Sequence, residues 1–165
     1  MLAEDDLETA IARTTYKFGP GRNPVVRIGR DDDLGAEEFE IVGKGLLSRA
    51  VGFETRRWGR FEWRYGERRE RARWAADNLL ILEKVGVGVG ADGRVRVAQL
   101  VRNGELRTAG TGYMAAGNGG RLQMDLRGEK GEDIVPEVVV VVTCLVMLKK
   151  EIDRLRGFQI AAMSA

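Results

Sequence analysis

Hydrophobic and polar positions alternate with a period of two along most of the chain. The clearest case is residues 60–65, where Phe61, Trp63 and Tyr65 fall on one face and Arg60, Glu62 and Arg64 on the other. That is the pattern of a strand with one buried side. Shorter apolar runs at 14–18, 25–28, 39–42, 50–56, 79–85, 94–101 and 122–126 predict further strands, separated by turns rich in Gly, Asp and Pro. Asp92 and Gly93 suit a tight hairpin turn, since both tolerate positive φ. Residues 1–13 are acidic, with Leu2, Leu7 and Ile11 as their apolar positions, and read as a lead-in to one domain over 14–165. No internal repeat and no linker interrupts that domain.

The pattern changes near the end. Pro136 suits the first position of a helix, with Asp133 nearby to cap it or to favour its dipole. Residues 137–156 contain neither Gly nor Pro, and Gly157 is the expected stop. Lys149 and Asp153 stand four apart, as a helical ion pair would. The stretch 138–148 is apolar on every face of such a helix, so protein is expected to surround it. It is about half the length of a membrane span. Residues 158–163 are expected to form a closing strand. Short strands with one fully enclosed helix imply a mainly β fold: a sheet closed around that helix.

Composition narrows the chemistry. The 165 residues include no histidine and one cysteine, Cys144, which sits inside the apolar run. This excludes His-based acid–base catalysis, Ser-His-Asp and Cys-His nucleophiles, His metal clusters and a disulfide framework. Lys plus Arg is 27 against 25 for Asp plus Glu, a net charge of +2, too small to mark a nucleic-acid binder by itself. Arginine greatly outnumbers lysine, and it is the better residue for bidentate anion contacts. The acidic start lacks the apolar core of a secretory signal, and an intracellular, cytoplasmic protein is expected, with peripheral membrane association.

Three blocks carry a resemblance: Phe39-Glu-Ile-Val-Gly-Lys44, Gly59-Arg-Phe-Glu-Trp-Arg-Tyr65, and the segment from Val138 through Cys144 to Arg154. With the predicted architecture, the chain resembles the Tubby C-terminal-like superfamily, which includes the LURP-one-related proteins and the phospholipid scramblases, and most of all its uncharacterised fungal members. The resemblance implies a closed antiparallel β-barrel of about twelve strands around a buried C-terminal hydrophobic helix. It also implies binding at a membrane surface, by way of phosphoinositide headgroups, more than catalysis. The chain has no cysteine cluster and no calcium loop of the scramblase kind.

The candidate site is the run from Arg56 to Trp74. Arg56, Arg57, Arg60, Arg64, Arg68, Arg69, Arg71 and Arg73 are interleaved with Trp58, Phe61, Trp63, Tyr65 and Trp74, and only Glu62, Glu67 and Glu70 oppose them. Basic groups among aromatics suit lipid headgroups or phosphates, and the same residues would serve RNA. The plainer reading is a hairpin whose rings enter the core while its arginines pair with those glutamates. Gly88-Val-Gly90-Ala-Asp-Gly93 spells a dinucleotide fingerprint, but Arg94 to Leu100 alternates like a strand where a helix is required, so a glycine-rich hairpin is expected. Asp31, Asp32 and Asp33 with Glu37 and Glu38 lack the ligand order of a calcium loop and read as a solvated loop.

The expected function is therefore a non-enzymatic binding module, with no metal and no cofactor. Its arginine-rich outer face would meet an anionic membrane surface or a protein partner. One alternative is an enzyme or ligand-binding protein with a pocket at the barrel mouth; a second is an RNA-associated protein.

Overall fold

The structure, a computed structural model, describes residues 11–17, 22–30, 35–45, 48–86, 93–109, 119–128 and 134–163. The strands are β1 (Ala12–Thr15), β2 (Val25–Ile28), β3 (Glu37–Glu40), β4 (Val42–Gly43), β5 (Val51–Thr55), β6 (Gly59–Tyr65), β7 (Asn78–Val85), β8 (Arg94–Arg102) and β9 (Arg121–Met124). Helix α1 (Arg68–Arg73) lies between β6 and β7, and α2 (Glu137–Met163) follows β9. All strand pairs are antiparallel, in a three-stranded sheet β1-β2-β3 and a six-stranded sheet β4-β5-β6-β7-β8-β9.

The predicted closed barrel of about twelve strands is wrong. The described residues form two open sheets, and no described strand joins the outer edges of β4 and β9. Part of the reason lies at the end of the chain. The expected closing strand at 158–163 is the last part of α2, which runs 27 residues and passes through Gly157 instead of stopping there. One interior glycine costs a helix about 1 kcal/mol, too little to end it when the residues beyond are helix formers. With the sheets open, α2 is not enclosed. Val139, Val140, Cys144, Val146 and Met147 are buried, but Val141 and Leu145 are exposed, Leu145 at 58%. The expectation of burial on every face of 138–148 fails at those two positions.

The alternation in β6 is realised as read. Phe61 and Trp63 are fully buried on the side facing α2, together with Leu80 and Leu82 of β7 and Val97 of β8. Phe39, Phe53 and Phe61 stack in sequence with ring centres 5.1 and 5.2 Å apart, tying β3 of the small sheet to β5 and β6 of the large one. The Trp63 indole N–H donates to Thr143 Oγ1 at 3.0 Å, and the Thr143 hydroxyl donates to the Val139 carbonyl at 2.7 Å, so both buried polar groups of this core are satisfied. Leu79, Ile81 and Val101 form a second, smaller buried cluster on the opposite side of the large sheet. Among the described residues no helix is long and apolar enough to cross a membrane.

Candidate functional site

The fold divides the arginine-rich run into three zones along β6, a strand of seven residues and thus about 20 Å long. At one end lies the β5–β6 turn. Thr55 Oγ1 accepts from Trp58 N–H at 3.0 Å and donates to the Gly59 carbonyl at 3.2 Å, and Gly59 takes a φ of 84° that favours glycine. The buried Glu37 carboxylate accepts from the backbone N–H groups of Arg56 (3.2 Å) and Arg57 (2.8 Å). Glu37 is thereby spent as an internal clamp. The side chains of Arg56, Arg57 and Arg60 are exposed, and Arg60 stands opposite Glu54 in the strand register.

The middle zone is locked. Arg64 pairs with Glu70 at 2.7 Å and Glu83 at 2.6 Å. Arg94 bridges Glu83 (3.2 Å) and Glu62 (3.3 Å), Lys44 reaches Glu62 at 2.9 Å, and Arg96 pairs with Glu70. Hydrogen bonds from Arg64, above all, hold the Glu70 carboxyl down at about 2, helped by the Glu67 N–H and by the charges of Arg64 and Arg96. Burial pushes the Glu83 carboxyl up, but the hydrogen bonds and charges of Arg64 and Arg94 outweigh it, and the net shift is downward. The same bonds, Glu70 first and then Glu83, raise Arg64 further above its ordinary value. Arg64 is therefore held between two carboxylates and offers little to an external anion.

The third zone is α1. Glu67 N–H donates to the Glu70 carboxylate at 2.9 Å at its start. At its end Ala75 takes a left-handed φ of 45°, with Ala75 N–H donating to Ala72 O (3.2 Å) and Ala76 N–H to Arg71 O (2.9 Å), the Schellman arrangement with alanine where glycine is usual. None of the six helical residues is buried. Arg68, Arg69, Arg71 and Arg73 are all exposed, as is Trp74 at 37%. The ion pairs of Glu70 fasten this helix to the sheet in place of an apolar face.

Beside α1, where β6 ends and β7 begins, lies a cleft of about 550 Å³ whose lining includes Ser48, Arg49, Tyr65, Arg71, Asp77 and Asn78. The Arg49 guanidinium sits 5.5 Å over the Tyr65 ring. Tyr65 O–H and Asn78 Nδ2 both donate to Glu151 of α2 at 3.3 Å, and Glu151 also pairs with Arg102 at 2.7 Å. Burial, then the Glu151 charge, pushes the Tyr65 hydroxyl up to about 12. The Asn78 Oδ1 is enclosed and accepts from no protein donor. Sequence reading missed Arg49 and this cleft altogether, because Arg49 lies alone beyond the arginine-rich run. The outward placement of Arg94 and Arg96 was legible from their alternation with Val95 and Val97.

Among the described residues the other sequence candidates bring no site together. Asp31 to Asp33 lie outside the described residues, Glu38 is exposed, and no group of acidic or cysteine side chains among the described residues is placed to hold a metal ion. Residues 87–92 of the glycine-rich run also lie outside them. The flanking geometry is a hairpin: Val85 pairs with Arg94, Gly86 N–H donates to Gly93 O at 2.7 Å, and a strand follows where the fingerprint needs a helix. Cys144 is buried, and burial pushes its thiol up to about 11, so it is no thiolate nucleophile. Comparison of the chain with protein-family models, with curated proteins and with solved structures finds no match.

Proposed function

We propose that the protein is a non-enzymatic binding module that lays α1 on an anionic phospholipid surface. One observation carries the reading. Helix α1 buries no residue and yet is held in place by Glu70, so that Arg68, Arg69 and Arg73 point their charge outward with Trp74 next to them. Exposed arginines attract headgroup phosphates, and a tryptophan beside them suits the membrane interface. This is the ligand class implied by the Tubby-like resemblance, reached here from a helix on an open sheet. The anionic cytoplasmic leaflet is the surface this chemistry fits, which makes the protein a peripheral intracellular one.

The test is co-sedimentation with phosphatidylcholine vesicles, with and without phosphatidylserine and phosphoinositide, at low and physiological salt. Wild type should pellet with the anionic vesicles alone, and less at higher salt. At about 1 kcal/mol per basic residue, Arg68→Glu/Arg69→Glu/Arg73→Glu should weaken binding by about a hundredfold or more. Equal pelleting of wild type and variant, or retention by RNA in place of vesicles, would overturn the reading.

A further inference from the structure

The cleft beside α1 holds charges of both signs that do not satisfy one another. Arg49 makes its contact with the Tyr65 ring and no ion pair with any described residue. Arg71 donates one long bond, 3.4 Å, to the Asp77 main-chain oxygen. Asp77 itself lines the same cleft, and its carboxylate has no hydrogen-bond or ion-pair partner among the described residues. This contrasts with the surroundings, where Arg64, Glu70, Glu83, Arg102 and Glu151 are all paired at 2.6–2.7 Å. Arginine and carboxylate side chains sharing one rim would ordinarily close on each other. Here they stay more than an ion-pair distance apart, across a volume within the range of small-molecule sites.

We propose that this cleft is a binding site for a small zwitterion, a ligand with an anionic phosphate or carboxylate at one end and an ammonium at the other. The guanidinium groups of Arg49 and Arg71 take the anionic end, since they are donors only. Asp77, an acceptor only, takes the ammonium, and the Ser48 hydroxyl, which accepts from Ala50 N–H at 3.1 Å, still has its proton to donate. A bare anion would meet Asp77 and a bare amine would meet Arg49 and Arg71, each at a like charge. Both ends together meet their complements. The discrimination therefore comes from repulsion as much as from attraction.

The proposal does not depend on the lipid reading, and its test uses soluble probes: O-phosphoethanolamine, ethyl phosphate and ethanolamine, titrated by calorimetry against the whole protein. O-phosphoethanolamine should bind at least about tenfold more tightly than either half-probe, the advantage that one charge-assisted contact confers. Asp77→Asn should erase its advantage over ethyl phosphate, and Arg49→Ala its advantage over ethanolamine. Both positions are exposed, so thermal melts should be unchanged. Arg56→Glu/Arg57→Glu, at the far end of β6, should bind the zwitterion as wild type does. Vesicles containing phosphatidylethanolamine, run beside the soluble probe, show whether the same chemistry is met as a lipid headgroup: selective pelleting with them, sensitive to Asp77→Asn, supports the site. Ethyl phosphate binding as tightly as O-phosphoethanolamine overturns the proposal, as does the absence of saturable binding by the zwitterion.

Discussion

The two helices are held by opposite physics. Helix α2 is fixed by burial: Val139, Val140, Cys144, Val146 and Met147 enter the core, and Glu151 adds a nearly enclosed pair with Arg102. Fully burying each valine- or methionine-sized side chain is worth about 1.5–3 kcal/mol, so most of its attachment is insensitive to salt. Helix α1 buries nothing and hangs on one glutamate shared between Arg64 and Arg96. A helix attached in this way contributes little to stability. What it does is keep arginines together outside the sheet, while Arg64, Arg94, Arg96 and Arg102 on the sheet are spent on glutamates.

The contrast can be broken most forcefully at α2. Glu151→Ala should cost about 3 kcal/mol or more in urea unfolding, because it strands Arg102 in a site where its side chain is 11% exposed. Glu70→Ala should behave differently. Arg64 keeps Glu83 and Arg96 keeps Gln99, so global stability should fall by about 1–2 kcal/mol. Amide exchange in 68–74 should meanwhile rise to that of an unprotected segment, with α2 unchanged.

Acid should reproduce the second effect without a mutation. Glu70 titrates at about 2 in the folded protein against an ordinary 4.5. Its ionised form therefore stabilises α1 at pH above about 4.5, and that contribution is lost progressively as the pH falls from there through about 2. Exchange of α1 amides, corrected for the intrinsic pH dependence, should accelerate over that window before the core amides respond. The smallest expected effect is at Ala75, where glycine relieves a left-handed φ of 45°. Ala75→Gly should stabilise the end of α1 by about 0.5–1 kcal/mol, seen as slower exchange there.

Some of this was legible in the chain and some was not, for reasons that differ by residue. The two-residue period of Phe61, Trp63 and Tyr65 set both faces of β6 correctly, since one repeating pattern contains the information. The helix start at Pro136 was legible for the same local reason. Its end was misread because Gly157 is a weak signal against the helix-forming residues that follow it, and the barrel was misread with it. The fate of the arginines depends on distant partners: Arg64 finds Glu83 19 residues away, and Arg94 finds Glu62 at a separation of 32. No local spacing reveals which arginine is consumed and which is left open. The cleft needed Arg49, Tyr65 and Asp77 from three separate places in the chain.

The most direct test of the account is amide hydrogen exchange with and without vesicles containing phosphatidylserine and phosphoinositide. Exposed arginines stand at both ends of β6, yet only α1 is built to present them beside an exposed tryptophan. The account predicts slower exchange in residues 67–76 when anionic vesicles are added, with the 55–60 turn and the 139–147 core unchanged. Protection confined to the 55–60 turn, or no protection in either segment, would contradict it.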